Sequence, residues 1–183
     1  MTPTPVAPAP IIVAATFGAE DFAMLDALRR AHFPPERNRL PAHLTLFHHL
    51  PPSVAPELDR RLAQLATEPP PPARLERVML LGGGVALAIG SPALEAMRAE
   101  LAEAFKGLLV PQDAARWRPH VTVQNKVGLK AAEALHDELV ATFAPRPVAI
   151  AGLASHLYRG GDWEPIAAHA FRGVSRSGRH PRS

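Results

Sequence analysis

Two short segments of the sequence repeat the same order of residue types. Residues 43–46 (HLTL) and 120–123 (HVTV) both read histidine, aliphatic, threonine, aliphatic. On a β-strand alternate side chains share a face, so each histidine would lie beside its threonine while the aliphatic pair points into a core. If the two strands face each other, two imidazoles and two hydroxyls meet in one cleft.

This set of groups is what cleavage of a phosphodiester requires when no metal ion takes part. One imidazole accepts a proton from the attacking water or hydroxyl, and the other donates a proton to the leaving oxygen. Histidine suits both tasks because it titrates near neutral pH. Hydroxyl groups can stabilise the charge on the non-bridging oxygens. One copy of the pattern is weak evidence, but two copies, each opening a predicted strand after a proline-containing loop, indicate a two-histidine site.

Strand alternation extends the predicted cleft face beyond each motif. It adds Phe47 and His49 to the first strand and Gln124 and Lys126 to the second, whereas His48 should point away into the lobe or its edge. Phe47 is a candidate for stacking on a base, with core packing as the alternative. Lys126 is a candidate positive charge, with a solvated strand end as the alternative.

Two further residues are candidates for substrate binding. Arg118 precedes the second motif and could guide a phosphate, although the intervening proline could turn it away. Tyr158, near a predicted hairpin turn, could lie on the rim of the cleft. A metal cluster is not expected, because alternation separates His48 from its neighbours, no His-Glu-x-x-His helix is present and the chain has no cysteine. No cofactor is expected either.

The elements that must position these residues can be predicted along the chain. The expected order is β-α-β-α, a proline-rich connector at residues 69–72, and β-β-α-β-α-β-β. The predicted helices, with Ser53 and Ser91 as N-caps of the second and third, cover residues 19–33, 53–66, 91–108 and 129–143. The predicted strands cover residues 10–15, 43–50, 74–81, 85–89, 120–127, 147–158 and 164–171.

Each motif strand follows a strand, a helix and a loop, and precedes another helix, which suggests a duplicated unit. The predicted fold is α+β and bilobal, with two pseudo-symmetric antiparallel-rich β-sheet lobes and outer helices around a central cleft. Residues 10–173 are expected to form this single domain. Residues 1–9 and the basic tail, residues 174–183, are expected to be disordered.

Composition limits the classes of partner. The net charge is +3, but four of the 20 basic residues lie from Arg172 onward, and the other 16 face 17 acidic residues. A strongly basic nucleic-acid domain is therefore not indicated, and phosphate recognition should be local. No apolar run approaches the roughly 18 residues that span a membrane. A monomeric cytoplasmic protein is expected, and the excess of arginine over lysine with abundant alanine and proline suggests a GC-rich bacterial genome.

The two motifs, together with residues 117–119 (WRP) before the second, resemble the 2H phosphoesterase superfamily, in particular the bacterial 2′-5′ RNA ligase-like proteins, also described as RNA 2′,3′-cyclic phosphodiesterases. The resemblance covers residues 11–171 and implies a bilobal fold with a central cleft and metal-independent chemistry. It implies that His43 and His120 are the catalytic pair, as acid and base respectively, and that Thr45 and Thr122 bind the phosphate. Residues 47–51 (FHHLP) depart from the family pattern, since many relatives follow the first motif with an aromatic residue and then a small turn residue.

Three functions are compatible with these observations. The first is hydrolysis of 2′,3′-cyclic phosphates on RNA ends or nucleotides, with reversible 2′-5′ RNA ligation as a related reaction. The second is a non-catalytic module that binds nucleotides or RNA ends. The third is a phosphodiesterase for a small cyclic phosphate outside RNA metabolism.

Overall fold

The computed structural model describes residues 8–173, which contain eight strands and five α-helices. Two short 3-10 turns, Pro35–Arg37 and Pro52–Val54, lie between them. The strands and helices follow in the order β1 (Ile11–Phe17), α1 (Ala19–His32), β2 (Leu44–Leu50), α2 (Ala55–Leu65), β3 (Ala73–Leu81), β4 (Gly84–Gly90), α3 (Pro92–Ala104), α4 (Pro111–Ala114), β5 (His120–Gln124), α5 (Leu129–Thr142), β6 (Arg146–Val148), β7 (Ile150–Arg159) and β8 (Asp162–Ala170).

The strands form two four-stranded sheets in which the strand pairs are antiparallel. Sheet A has the order β2-β1-β7-β8 and sheet B the order β5-β4-β3-β6. Sheet A takes strands from both ends of the chain, because the β7–β8 hairpin returns to pair with β1. The predicted α+β fold with two antiparallel lobes is confirmed.

The two lobes repeat one arrangement of strand, helix and edge strand. In sheet A the chain runs from β1 through α1 to β2, and in sheet B from β4 through α3 to β5. Ala14 pairs with Thr45 in the first lobe, and Ala86 pairs with Thr122 in the second. The duplicated unit inferred from the motifs is therefore visible in the strand pairing.

Several predicted boundaries shift where local capping differs from expectation. Ser91 caps α3 as predicted, since its Oγ accepts a hydrogen bond from the backbone N–H of Leu94 at 3.3 Å. Ser53 does not cap α2, because the chain first makes a 3-10 turn and the helix starts at Ala55. Helix α3 ends at Ala104, before residue 108, and the short α4 was not predicted.

The inner faces of both sheets meet in one hydrophobic core. Val13 and Leu46 from sheet A belong to the same buried cluster as Leu87 and Val123 from sheet B. Within residues 8–173 no helix is long and apolar enough to cross a bilayer. Residues 1–7 and 174–183, which fall in the ends predicted to be disordered, lie outside the described residues. The single domain over residues 10–173 stays a prediction.

Candidate active site

The two motif strands lie at the edges of their sheets and line one cavity. β2 is the edge strand of sheet A and β5 the edge strand of sheet B. A cavity of about 310 Å³ is lined by His43 and Thr45 from β2 and its approach, and by His120 and Thr122 from β5. The intervening aliphatic side chains are fully buried: Leu44, Leu46, Val121 and Val123. The structure therefore brings the four motif side chains together.

Both histidine rings are held by the same backbone contact. The Nδ1 of His43 lies 2.8 Å from the carbonyl oxygen of Pro41, and the Nδ1 of His120 lies 2.6 Å from that of Arg118. A carbonyl oxygen only accepts, so Nδ1 carries the hydrogen in each ring. Each Nε2 is therefore free to accept a proton from a ligand in the cavity or to donate a proton to it.

The environment of His43 keeps its imidazole neutral. The pKa of His43 is lowered to about 4, chiefly because burial disfavours the charged imidazolium. The hydrogen bond to the carbonyl oxygen of Pro41 acts in the opposite direction and raises the pKa. Arg29 and, when protonated, His120 and His48 lower the pKa of His43 further by charge repulsion. At neutral pH the Nε2 of His43 therefore carries a lone pair and can accept a proton.

Strand alternation breaks after Thr45, and this reverses two predicted side chains. Ala14 pairs with Thr45 but Val13 pairs with Phe47, so β2 accommodates an extra residue as a β-bulge. Phe47 is consequently 0% exposed in the core, and the prediction that it stacks on a base is wrong. His48 lines the cavity, so the prediction that it points into the lobe is wrong as well.

β5 carries a bulge at the equivalent place. Ala86 pairs with Thr122 and Val85 with Gln124, which leaves Val123 as the extra residue. Gln124 is consequently buried and does not line the cavity, contrary to the prediction. A Cβ on the adjacent Gly84 would collide with the carbonyl oxygen of Gln124, so this close approach requires glycine.

The remaining predicted candidates divide between the cavity and the surface. Arg118 lines the cavity. Tyr158 lines an adjoining cavity of about 300 Å³ that also contacts His43 and Thr122. Lys126 follows the end of β5 in a left-handed conformation, with φ of 66°, and is exposed. It does not line the cavity, so the prediction that it adds charge there is wrong.

A buried carboxylate that the sequence did not reveal holds His48. Asp113, on α4, is 1% exposed and accepts a hydrogen bond from the Nδ1 of His48 at 3.0 Å. It also accepts bonds from the backbone N–H groups of His48 and His49, each at 2.9 Å. Burial alone would raise the pKa of Asp113, but these bonds keep the pKa below its usual value.

Each lobe sends a buried arginine to the motif strand of the other lobe. Arg29 on α1 donates from Nη1 to the carbonyl oxygen of Thr122 at 2.9 Å. Arg98 on α3 donates from Nε to the carbonyl oxygen of Leu46 at 2.9 Å. Both carbonyl groups lie at or next to a bulge, so the arginines fix the backbone where the strands depart from regular pairing.

Two tryptophans complete the site, and sequence reasoning did not identify their roles. The Nε1 of Trp117 donates to the carbonyl oxygen of Thr45 at 3.0 Å, which ties the loop before β5 to β2. The ring of Trp163, on β8, lies 4.6 Å from the His43 ring and 5.3 Å from the His156 ring, measured between centroids. Trp163 became part of the site only because the β7–β8 hairpin joins sheet A, which no local pattern indicates.

The described residues offer no obvious metal centre. Among residues 8–173, no group of three or more histidine, aspartate or glutamate side chains is arranged to hold a metal ion. The polar groups that converge on the cavity are chiefly imidazoles, hydroxyls and guanidinium groups. Such an arrangement can move protons and bind an anion.

Known proteins resemble this chain in sequence and in fold. Residues 17–162 match a family model described as the 2′-5′ RNA ligase superfamily. No curated protein sequence matches the chain.

Solved structures share the fold. TT0787 of Thermus thermophilus is 17% identical, with a TM-score of 0.61 over 90% of this chain and 98% of that chain. A phosphoesterase is 23% identical, with a TM-score of 0.54 over 90% and 99% of the two chains. E. coli LigT complexed with 3′-AMP is 22% identical, with a TM-score of 0.52 over 90% and 98%. At these identities the likeness shows a common two-lobed fold.

Proposed function

The chain belongs to the 2′-5′ RNA ligase superfamily, and we propose that it is a metal-independent phosphodiesterase acting on 2′,3′-cyclic phosphates of RNA ends or nucleotides. The observation that carries this proposal is the pairing of His43 and His120 across one cavity, each with Nδ1 bonded to a carbonyl oxygen and Nε2 left free. Thr45 and Thr122 accompany them as hydroxyl donors for the phosphate oxygens.

In the proposed hydrolysis, one histidine removes a proton from water as the water oxygen attacks phosphorus. The bond between phosphorus and one ribose oxygen then breaks, and the second histidine donates a proton to that oxygen. The product is a phosphate monoester beside a free hydroxyl group. With the 5′-hydroxyl of another strand in place of water, the same steps would correspond to 2′-5′ ligation: the 5′ oxygen bonds to phosphorus, the bond to the 3′ oxygen breaks, and that oxygen takes up the proton.

The two histidines need opposite protonation states at the start of the reaction. Family resemblance implies that His43 is the acid and His120 the base. The low pKa of His43 favours the reverse assignment in hydrolysis, because a neutral imidazole is ready to accept a proton and not to donate one. We therefore propose His43 as the base and His120 as the acid.

Ligands of proteins with the same fold support a nucleotide substrate. E. coli LigT has been solved with 3′-AMP and with NADP+, both of which contain a nucleotide. The alternative function, a module that binds nucleotides without turnover, would use the same cavity. The duplicated histidines favour catalysis, because arginine or lysine would serve binding alone.

The test is hydrolysis of the four nucleoside 2′,3′-cyclic monophosphates in the presence of EDTA. We expect the wild-type protein to form one monophosphate isomer, and His43→Gln and His120→Gln each to lower the rate by about 10²–10⁴-fold. His49→Gln is the matched control, because this exposed histidine lies on β2 and does not line the cavity. Folded protein that binds these nucleotides without turnover would support the binding module instead.

A further inference from the structure

The proposed reaction leaves one imidazole of the cavity unused. His48 lines the same cavity as His43 and His120, and 42% of its side chain is exposed. Its position depends on the bulge in β2, since regular alternation would have turned His48 into the lobe and His49 towards the cavity. The reversal places an additional ring near the motif pair.

The orientation of His48 is fixed by Asp113. The carboxylate accepts from the Nδ1 of His48 and from two backbone N–H groups, and it is 1% exposed. Because Nδ1 is committed to this buried acceptor, the free polar atom of the ring is Nε2. With a proton on Nε2 as well, the ring is a cation paired with a buried carboxylate. Its Nε2–H can then donate a charge-assisted hydrogen bond to an anion.

The surroundings of His48 favour an anion. Gln112, Arg116 and Arg118 line the same cavity. Among the described residues, Asp113 is the only carboxylate in that lining, and its oxygens are occupied by His48 and the backbone N–H groups. His48 lies three positions after Thr45, which is at most about 10 Å along a strand. This distance allows one molecule to place one phosphate at the motif pair and another near His48.

We propose that His48, held by Asp113, binds a second phosphate of the substrate, the one belonging to the adjoining nucleotide position. This proposal rests on the proposed function for the first phosphate. It identifies the preferred substrate class as phosphorylated or oligonucleotide ends, in preference to cyclic mononucleotides without a further phosphate. His48 is a binding residue in this arrangement and takes no part in proton transfer.

The test compares the binding of adenosine 3′-monophosphate and adenosine 3′,5′-bisphosphate by calorimetry. The wild-type protein should bind the bisphosphate about tenfold more tightly, as expected for one charge-assisted hydrogen bond. His48→Gln should reduce this preference to less than about threefold, whereas the neighbouring His49→Gln should retain it. Equal binding of both ligands by the wild type, or a preference that survives in His48→Gln, would overturn the proposal.

A kinetic comparison separates the two proposals. For wild type and His48→Gln, kcat/KM is measured on a nucleoside 2′,3′-cyclic phosphate with and without a 5′-phosphate. His48→Gln should lower kcat/KM for the phosphorylated substrate about tenfold more than for the other. If neither substrate is turned over but the bisphosphate preference depends on His48, the proposed hydrolysis fails while the second phosphate site stands. Circular dichroism confirms that the variants are folded.

Discussion

The two motif histidines occupy equivalent strand positions but differ in what surrounds them. Each ring bonds through Nδ1 to the carbonyl oxygen two residues earlier. His43 additionally packs against the ring of Trp163, a residue of the β7–β8 hairpin that belongs to sheet A alone. Because burial is the largest cause of its low pKa, this contact makes a duplicated motif chemically asymmetric. Such asymmetry is what a base and an acid at the same pH require.

The protonation of His43 gives a prediction at this scale. Without a ligand His43 should titrate near pH 4. Inorganic phosphate in the cavity should raise its pKa by about one to two units, because a negative charge stabilises the imidazolium. The pKa should nevertheless stay below about 6.5, the ordinary value for histidine, so that His43 remains a proton acceptor at neutral pH.

Histidine side-chain NMR, with His43→Gln to assign the signal, measures this titration. His49→Gln is the control that should leave the signal unchanged. A pKa above about 7 in the phosphate complex would contradict the assignment, because His43 would then carry the proton and suit the role of acid that family resemblance implies.

The residue types identified the motif side chains because three consecutive strand residues suffice to define a face. They did not identify Asp113, which reaches His48 from 65 residues away in sequence. Trp163 escaped notice for the same reason, since its contact with His43 depends on long-range strand pairing. Local periodicity contains no information about such contacts.

At the scale of elements, the side chains that were predicted on the wrong face of a strand have one main cause, the bulges. The helices and strands were largely predicted, because apolar spacing, proline and glycine mark their ends. The bulges in β2 and β5 were not predicted, because sequences such as HLTLF fit regular alternation as well as a bulge. Phe47, His48 and Gln124 consequently face the opposite side from the one expected. Side chains that precede each bulge, such as Thr45 and Thr122, lie on the predicted face. Side chains at or after a bulge, such as Phe47 and Gln124, do not.

The exchange of buried arginines is a second feature of the elements, and it carries a prediction about stability. Arg98 donates to the carbonyl oxygens of Leu46 and Asp113, at 2.9 and 2.7 Å. Arg98→Met would retain most of the aliphatic volume but leave these buried carbonyl groups without their donor. We expect the free energy of unfolding to fall by about 2–4 kcal/mol, since an unsatisfied buried acceptor costs about 1–3 kcal/mol.

Urea denaturation followed by circular dichroism measures this change. The matched control is Arg60→Met on α2, because Arg60 is exposed and pairs with Glu57 one turn away. Exposed pairs contribute little, so the control should change the free energy of unfolding by less than about 0.5 kcal/mol. Similar effects of the two substitutions would show that the contact between α3 and β2 does not stabilise the fold.

At the scale of the whole molecule, the two lobes are joined more closely than the word bilobal suggests. The hydrophobic cluster contains the inner faces of both sheets, and the cavity lies between their edge strands. Arg29 and Arg98 bond across the lobes in both directions, and Trp117 ties the loop before β5 to β2. Neither lobe keeps a complete set of buried partners without the other. The relative position of the two histidines is therefore a property of the entire fold.

This arrangement predicts that the lobes unfold together. Since the core is shared, opening one lobe would expose apolar surface and buried polar groups of the other, and an intermediate with one folded lobe should not accumulate. Thermal unfolding should give a single transition in which the calorimetric and van't Hoff enthalpies agree.

The two tryptophans of the protein can report on different regions during unfolding. Trp163→Phe leaves Trp117 as a probe of the junction between the lobes. Trp117→Phe leaves Trp163 as a probe of sheet A. In each variant the fluorescence midpoint should coincide with the midpoint from circular dichroism, whatever the change in overall stability. Two resolved transitions would mean that the lobes are separate domains, and the prediction of one domain over residues 10–173 would then be wrong.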